Sequence, residues 1–189
     1  MLRCLLLIRF GLAARLALGR SPYSRDMAED LIDPEQLPLD ELDGAYAAIM
    51  GEIVATGVAP HYAELARTLG IEPLRAKAVV KRIIDVTPGW LHPDTDWIAS
   101  FPPFNNQPTQ YRVSVDGEQR WFAQCGFEAL ACRWLFPGRT VTVDAPCLLG
   151  DEPLRIVMRD EQLLSVDPPS MIGYTRSMVG GDAATRPFR

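Results

Sequence analysis

Apolar residues recur at helical spacing over the stretch that begins at Leu39. Between residues 39 and 54 they fall three and four positions apart, which is the pattern of an amphipathic helix, and Gly57 follows its end. Residues 61–69 predict a second, short helix, and residues 73–84 predict a third that begins with a proline. Two of these helices joined by a glycine turn indicate a helix-turn-helix, or winged-helix-like, module.

The pattern changes to strict alternation at residue 111, which is typical of β-strands. Residues 111–115 predict one strand, Asp116-Gly117 a hairpin turn, and residues 118–122 the returning strand. Part of the proline- and aromatic-rich segment 87–110 fits the wing hairpin of the helical module. Further strands are predicted at 140–144, 154–158 and 163–166. The order of elements predicts an α+β protein, with a winged-helix-like front followed by a small mixed β-sheet packed on a central helix.

The predicted central helix carries a thiol and a carboxylate three residues apart, Cys125 and Glu128. Residues at i and i+3 share one face of a helix, so both side chains can address the same ligand. The run from 121 to 136 is apolar on most sides, which predicts a buried helix that ends at Pro137-Gly138. Two interpretations stay open: a reactive pair, or a core helix whose cysteine acts as a small hydrophobe.

Three segments follow from this pattern: residues 1–38 as a poorly ordered arm and lead-in, 39–104 as the helical module, and 105–189 as an α+β domain that carries the thiol helix. Residues 1–26 contain five arginines and one aspartate. The apolar run near the start is interrupted by Arg9 and Arg15, so it is too short and too charged to cross a bilayer. It is interpreted as an amphipathic arm, a targeting segment, or an extension before a true start at Met27. Residues 178–189 are predicted to fray.

The chain has 189 residues and a net charge of −5, and the arginine-rich start makes the remainder more acidic still. An acidic body argues against a nucleic-acid partner, although basic residues of the third predicted helix leave helix-turn-helix DNA binding as an alternative. Four cysteines without paired spacing indicate free thiols in a reducing, cytoplasmic setting. Because the apolar run near the start is short and charged, no membrane partner is expected. His61 and His92 stand alone, and no spacing suggests zinc.

The order of motifs resembles that of the alkylmercury (organomercurial) lyases over about residues 39–175. The most specific part is a Cys-x-x-acid helix behind a Val-Asp-Gly hairpin. The matching stretches are Val115-Asp-Gly117, Cys125-x-x-Glu128-x-Leu130, 137–141, 145–147 and 166–171.

The resemblance implies an enzyme of mercury resistance that cleaves carbon–mercury bonds by protonolysis. Cys125 would be the thiolate that binds mercury, and Glu128 would deliver the proton to the leaving carbon. Thiolate is the ligand that a soft metal prefers, and a carboxylic acid can protonate a developing carbanion. The partner would be a small organomercurial or another soft electrophile. No organic cofactor is implied, and mercury is bound as substrate and product.

Two positions depart from the family pattern. Glu128 stands where the family has aspartate, and no cysteine follows Cys147, whereas the family uses a second cysteine near its C-terminus. We therefore expect either a truncated chain or a changed activity. Cys132 lies about 10 Å along the helix from Cys125 and is too distant to share one metal atom. Cys147 is a possible additional mercury ligand or a structural cysteine. The alternative function is a non-catalytic relative that binds a soft metal or electrophile, or a helix-turn-helix regulatory or interaction protein.

Overall fold

The computed structural model describes residues 5–7 and 32–174. Most of the predicted N-terminal arm, including the candidate start at Met27, lies outside the described residues, as does the predicted frayed end at 178–189. Residues 34–36 form a short 3₁₀ turn that leads into the first helix.

Three helices form the first part of the described chain: α1 (Leu39–Thr56), α2 (Tyr62–Leu69) and α3 (Pro73–Val86). All three were predicted by apolar spacing, and the structure confirms them. Gly57 has a φ of 85°, a left-handed conformation that lets a glycine end a helix at little cost. A capping box begins α2, because the His61 ring accepts the Ala63 N–H and Glu64 accepts the His61 N–H.

The strands build one sheet of eight, in the order β2-β3-β4-β6-β5-β7-β8-β9. Its members are β2 (Trp90–Leu91), β3 (Ile98–Phe101), β4 (Phe104–Asn105), β5 (Arg112–Val115), β6 (Glu118–Ala123), β7 (Thr140–Pro146), β8 (Pro153–Arg159) and β9 (Gln162–Asp167). Every pairing in this sheet is antiparallel. The α+β class is confirmed, but the sheet is larger than predicted and antiparallel throughout. Two strands outside it, β1 (Leu5–Leu7) and β10 (Ile172–Tyr174), pair in parallel.

The hairpin between β5 and β6 turns at the predicted Asp116-Gly117, where both residues have positive φ. The Asp116 carboxylate accepts the Thr140 N–H at 2.9 Å and the Arg139 Nε–H at 2.8 Å, which joins the turn to the start of β7. Hydrogen bonding to Arg139 lowers the pKa of Asp116, so the turn carries a fixed negative charge.

Helices and sheet share one hydrophobic core. Ile49, Ile53 and Val79 of the helices belong to the same buried cluster as Phe101 and Val113 of the sheet. Three helices followed by the β2–β3 hairpin match the predicted order of a winged helix, and that assignment stays a prediction. So does the division after residue 104, which falls inside β4.

No helix among the described residues has both the length and the apolar character needed to cross a membrane.

Candidate active site

The segment that carries the thiol and the carboxylate is shorter than the sequence predicted. The helix α4 covers only Gly126–Ala131, and a 3₁₀ turn continues it over Cys132–Leu135. The prediction of a helix buried on most sides is wrong, because Phe127 and Trp134 are each 64% exposed. One face alone packs on the core, and it presents Glu128 inward.

Cys125 precedes α4 as its N-cap residue, with an extended backbone (φ −148°, ψ 170°). Its Sγ accepts the backbone N–H of Glu128 at 3.4 Å. The expected closeness of the two residues is therefore found, but it arises from capping at the helix start and not from two positions within a helix. Capping fixes the sulfur against the first turn, where the backbone N–H groups have no partner inside the helix.

The residues just before Cys125 are held by hydrogen bonds from two directions. The N–H of Ala123 donates to the Tyr111 carbonyl at 3.0 Å, and Thr109 Oγ1 donates to the Ala123 carbonyl at 2.8 Å. The Gln124 N–H donates to the Pro103 carbonyl at 3.0 Å, and its side-chain Nε2 donates to the Pro88 carbonyl at 2.9 Å. The approach to the thiol is thus fixed by the segment before β5, by the loop between α3 and β2, and by the loop between β3 and β4.

Burial makes the Cys125 thiol a weaker acid than an exposed cysteine. The side chain is only 6% exposed, and loss of hydration raises the thiol pKa to about 12, with the negative charge of Glu128 as the second cause. The backbone N–H groups of Glu128 and Phe127 act in the opposite direction, because they donate to the sulfur and favour its anion. At neutral pH the free site therefore holds a thiol, and a thiolate forms only when its proton is taken.

Glu128 is buried to a similar degree, at 8% exposed, and its Oε2 atom has no hydrogen-bond partner. Desolvation raises the pKa of its carboxyl group to about 7, although a hydrogen bond with the Cys125 side chain works against this rise. Near neutral pH the carboxyl group is therefore available in both its acid and its base forms, which is the condition under which a general acid–base works best. A carboxyl with a shifted pKa beside a thiol is a typical candidate for a functional site.

A third side chain, Tyr111, belongs to the same site and was not singled out from the sequence. It is 5% exposed, its hydroxyl is hydrogen-bonded to the backbone of Gly126, and it is close enough to Cys125 to feel the charge of the thiolate. Desolvation raises its pKa. Alternation along residues 111–115 placed Tyr111 on the buried face, but only the fold shows that this face meets Cys125.

The other two cysteines of the described residues, Cys132 and Cys147, are both buried. Cys132 is fully buried at the C-terminal end of α4, and desolvation followed by the charge of Glu128 raises its pKa. Cys147, the possible additional mercury ligand, is buried and disulfide-bonded, so the expectation of free thiols is wrong for this residue. The described residues contain no group of three or more His, Cys, Asp or Glu side chains arranged to hold a metal ion.

The surface of the described residues includes two cavities. One, of about 380 Å³, is lined by Glu52, Pro60, Glu64, Arg67 and Thr68 of the helical region. The other, of about 330 Å³, is lined by Thr109, Gln110, Arg112, Ala145, Pro146, Asp151 and Pro153. Neither is lined by Cys125 or Glu128, but the second includes both sequence neighbours of Tyr111.

Ion pairs occupy part of the basic face predicted for α3. Arg75 forms two hydrogen bonds to the Glu41 carboxylate of α1, at 2.7 and 2.6 Å, and Lys77 pairs with Asp96 at 3.1 Å. These contacts join α3 to its neighbours and reduce the charge that it can offer to phosphates. The geometry therefore gives no added support to the alternative of DNA binding.

The second part of the chain is similar to a known protein family. Residues 104–184 match the sequence profile of the MerB family, alkylmercury lyase. Over these residues the chain is similar to the alkylmercury lyases. The match includes β5, β6, α4 and the Cys125–Glu128 pair.

Individual alkylmercury lyases show the same relationship over shorter spans. The alkylmercury lyases of Bacillus cereus and Clostridium butyricum are each 32% identical over 68 residues, which is 34% of this chain. The matched part spans 29% of the length of those two proteins. The crystal structure of the mercury-bound form of MerB2 has a similar fold, with a TM-score of 0.55 at 20% identity, over 75% of this chain and 66% of that one.

Proposed function

We propose that this chain cleaves carbon–mercury bonds by protonolysis, with Cys125 as the mercury-binding thiolate and Glu128 as the proton carrier. One observation supports the proposal independently of the similarity to alkylmercury lyases. The buried Glu128 carboxyl group, whose pKa is raised to about 7, is hydrogen-bonded to the only side chain of the site that a soft metal would select. The substrate class is a small organomercurial, and mercury enters as part of that substrate.

The proton balance of the reaction follows from the two side chains. An organomercury cation bonds to Cys125 Sγ as the S–H bond breaks, and the Glu128 carboxylate takes the released proton. The neutral Glu128 then gives this proton to the carbon bound to mercury. The electron pair of the carbon–mercury bond forms the new C–H bond, the hydrocarbon leaves, and mercury(II) stays on the sulfur until thiols from solution remove it.

The raised pKa values of Cys125 and Glu128 suit both proton transfers of this reaction. A thiol with a pKa of about 12 does not ionise alone at neutral pH, so it needs a base at contact distance. A carboxyl group with a pKa of about 7 can accept that proton and can also release it to carbon. Glutamate is one methylene longer than the aspartate of the family pattern. Because Cys125 lies at the N-cap and not within the helix, the longer arm still reaches its side chain.

The test is release of hydrocarbon from an organomercurial in the presence of excess thiol, measured by gas chromatography. We expect release by the wild-type chain and none by Cys125→Ser. Serine is a strong N-cap residue, so this variant keeps the start of α4 while removing the soft ligand. The matched control is Cys132→Ser, which makes the same change at the other free cysteine of the described residues and should retain release within a few-fold.

Normal release by Cys125→Ser would contradict the mechanism. If the wild-type chain binds mercury tightly but releases no hydrocarbon, the chain is a non-catalytic relative that binds soft metals.

A further inference from the structure

The cavity of about 330 Å³ lies between the segment before β5, the end of β7 and the turn that joins β7 to β8. Its apolar side consists of Ala145, Pro146 and Pro153, and its two charged residues are Arg112 and Asp151. Pockets that bind small molecules have this order of size, and they combine an apolar surface with a few polar groups. The cavity therefore has the size and the composition of a ligand site.

The Arg112 guanidinium is available to a ligand because the carboxylate opposite it is already engaged. Arg112 of β5 pairs with Asp144 of β7, and side chains that are directly opposed lie on the same face of a sheet. The Asp144 carboxylate instead accepts two hydrogen bonds from Arg155, at 2.7 and 3.1 Å. Among the described residues, no carboxylate forms an ion pair with Arg112. A planar guanidinium in this state is suited to bind a carboxylate through two parallel N–H groups.

Asp151 supplies the opposite charge from the turn between β7 and β8. Two backbone hydrogen bonds close this turn, from the Asp151 N–H to the Cys147 carbonyl at 3.0 Å and from the Cys147 N–H to the Glu152 carbonyl at 2.7 Å. The Asp151 backbone has a φ of 55°, a left-handed conformation that aspartate adopts more readily than most residues. In the described part of the chain, Asp151 and Arg112 do not pair with each other. A cavity with one cation and one carboxylate matches a ligand end that carries both a carboxylate and an ammonium group.

One wall of this cavity is hydrogen-bonded to the strand that leads to Cys125. Thr109 Oγ1 donates to the Ala123 carbonyl at 2.8 Å and accepts the Tyr111 N–H at 3.1 Å. The Tyr111 carbonyl accepts the Ala123 N–H at 3.0 Å. Two residues of backbone span at most about 7 Å, so Thr109 Oγ1 lies within roughly 10 Å of the Cys125 backbone. An extended chain of three residues spans about 10 Å, so a small peptide held in the cavity by one end is long enough to reach the thiol.

We propose that this cavity binds the α-amino-acid end of a small peptide thiol, and that this thiol removes mercury(II) from Cys125. The ligand carboxylate binds to Arg112, and its ammonium group binds to Asp151. The sulfur of the thiol bonds to mercury as its S–H bond breaks, the bond between mercury and Cys125 Sγ breaks, and the released proton returns to that sulfur. Oxidation states do not change. The inference deepens the proposed function, on which it rests for the presence of mercury(II) on Cys125.

The first test measures binding of S-methylglutathione by isothermal titration calorimetry, with no mercury present. The methyl group blocks the sulfur of this probe, so only its peptide part and its charges can bind. We expect Arg112→Gln and Asp151→Asn each to bind it about tenfold more weakly than the wild type, because each variant loses a charge-assisted contact. The matched control is Arg159→Gln, which changes an arginine of the same sheet that hydrogen-bonds to Thr140 outside the cavity and should bind the probe as the wild type does.

The second test measures removal of mercury(II) from mercury-loaded protein in a Cys132→Ser background. Mercury that stays on the protein is determined by atomic absorption after rapid desalting. The rate with glutathione is divided by the rate with 2-mercaptoethanol, a thiol that lacks both charged groups. Arg112→Gln should lower this ratio about tenfold, because only glutathione loses a contact to the cavity. Arg159→Gln should leave the ratio unchanged.

Absence of S-methylglutathione binding to the wild type, or equal binding by the wild type, Arg112→Gln and Asp151→Asn, would overturn the ligand site. An equal ratio of removal rates in the wild type and Arg112→Gln would overturn its role in mercury removal. The first test contains no mercury, and the second begins with mercury(II) already bound. Both results are therefore separate from hydrocarbon release, whose failure would instead contradict the proposed function.

Discussion

The Glu128 carboxyl group occupies a position where its charged form is disfavoured. It is buried, one of its oxygens has no hydrogen-bond partner, and the nearest titratable partner is a thiol and not a cation. A buried polar atom without a partner costs free energy, and proteins keep such atoms mainly where function requires them. The arrangement leaves one oxygen of the carboxyl group open to a reacting proton or substrate.

This burial predicts how stability depends on pH. The pKa of Glu128 is about 7 in the folded chain and about 4.5 when unfolded, so between these values the folded state binds more protons. The free energy of unfolding should therefore fall as pH rises from about 4.5 to about 7, by at most about 3 kcal/mol from this residue. Glu128→Gln should lack this fall and be more stable than the wild type at pH 8, as measured by urea denaturation.

Glu161→Gln serves as the control, because it removes a carboxylate at an exposed position of the turn between β8 and β9. Its difference from the wild type should stay nearly constant across the same pH range. A Glu128→Gln variant that loses stability between pH 4.5 and 7 as steeply as the wild type would contradict the predicted protonation of Glu128.

At the scale of elements, apolar spacing predicted α1 to α3 and the β5–β6 hairpin because each packs one regular face against the core. The same reasoning overestimated α4, where Phe127 and Trp134 are apolar yet exposed. Apolar spacing also predicted that Cys125 lies inside the helix. Spacing depends on residue types alone, so it gives no sign of the extended backbone angles that make Cys125 the N-cap residue. The contact of Tyr111 with Gly126 depends on the pairing of β5 with β6. Local sequence patterns could therefore not predict it.

One side chain joins the last turns of α1 to the strand that leads into the site. The indole Nε1 of Trp121 in β6 donates to the Ile53 carbonyl at 2.7 Å, and its ring packs edge-on against Phe136 at 4.8 Å between centroids. Its neighbour Arg120 donates to the Ala55 carbonyl at 2.5 Å. Consecutive residues of β6 thus bind carbonyl groups two residues apart near the end of α1, and Trp121 does so from a buried position.

Trp121→Phe should lower the free energy of unfolding by about 1 kcal/mol, beyond the loss due to its smaller ring, because the buried hydrogen bond to Ile53 is lost. The loss is moderate because the Ile53 carbonyl also accepts the Gly57 N–H. The matched control is Trp134→Phe at an exposed position, where we expect a change within about 0.5 kcal/mol. The free energy of unfolding is measured by chemical denaturation. Equal losses in the two variants would show that the hydrogen bond from Trp121 to Ile53 does not contribute to stability.

At the scale of the whole molecule, the candidate site lies where the helical region meets the sheet. Gln124, next to Cys125, is bound through its side chain to Pro88 after α3 and through its backbone to Pro103 between β3 and β4. Asn106 links the same region, because its side chain accepts the Ala59 N–H and donates to the Ile98 carbonyl. The helical region therefore supports the position of the thiol although it provides neither reactive side chain.

These links predict that helices and sheet unfold together. One buried cluster includes residues of α1, α3 and the sheet, and the predicted division after residue 104 passes through a strand of that sheet, so neither part can be exposed without opening the core of the other. Urea titrations followed by helical circular dichroism and by tryptophan fluorescence should give one coincident transition. Trp121 makes the fluorescence sensitive to the junction, and Trp121→Phe should move both curves by the same amount. Loss of the helical signal at lower urea than the fluorescence change would instead show that residues 39–104 unfold as a separate unit.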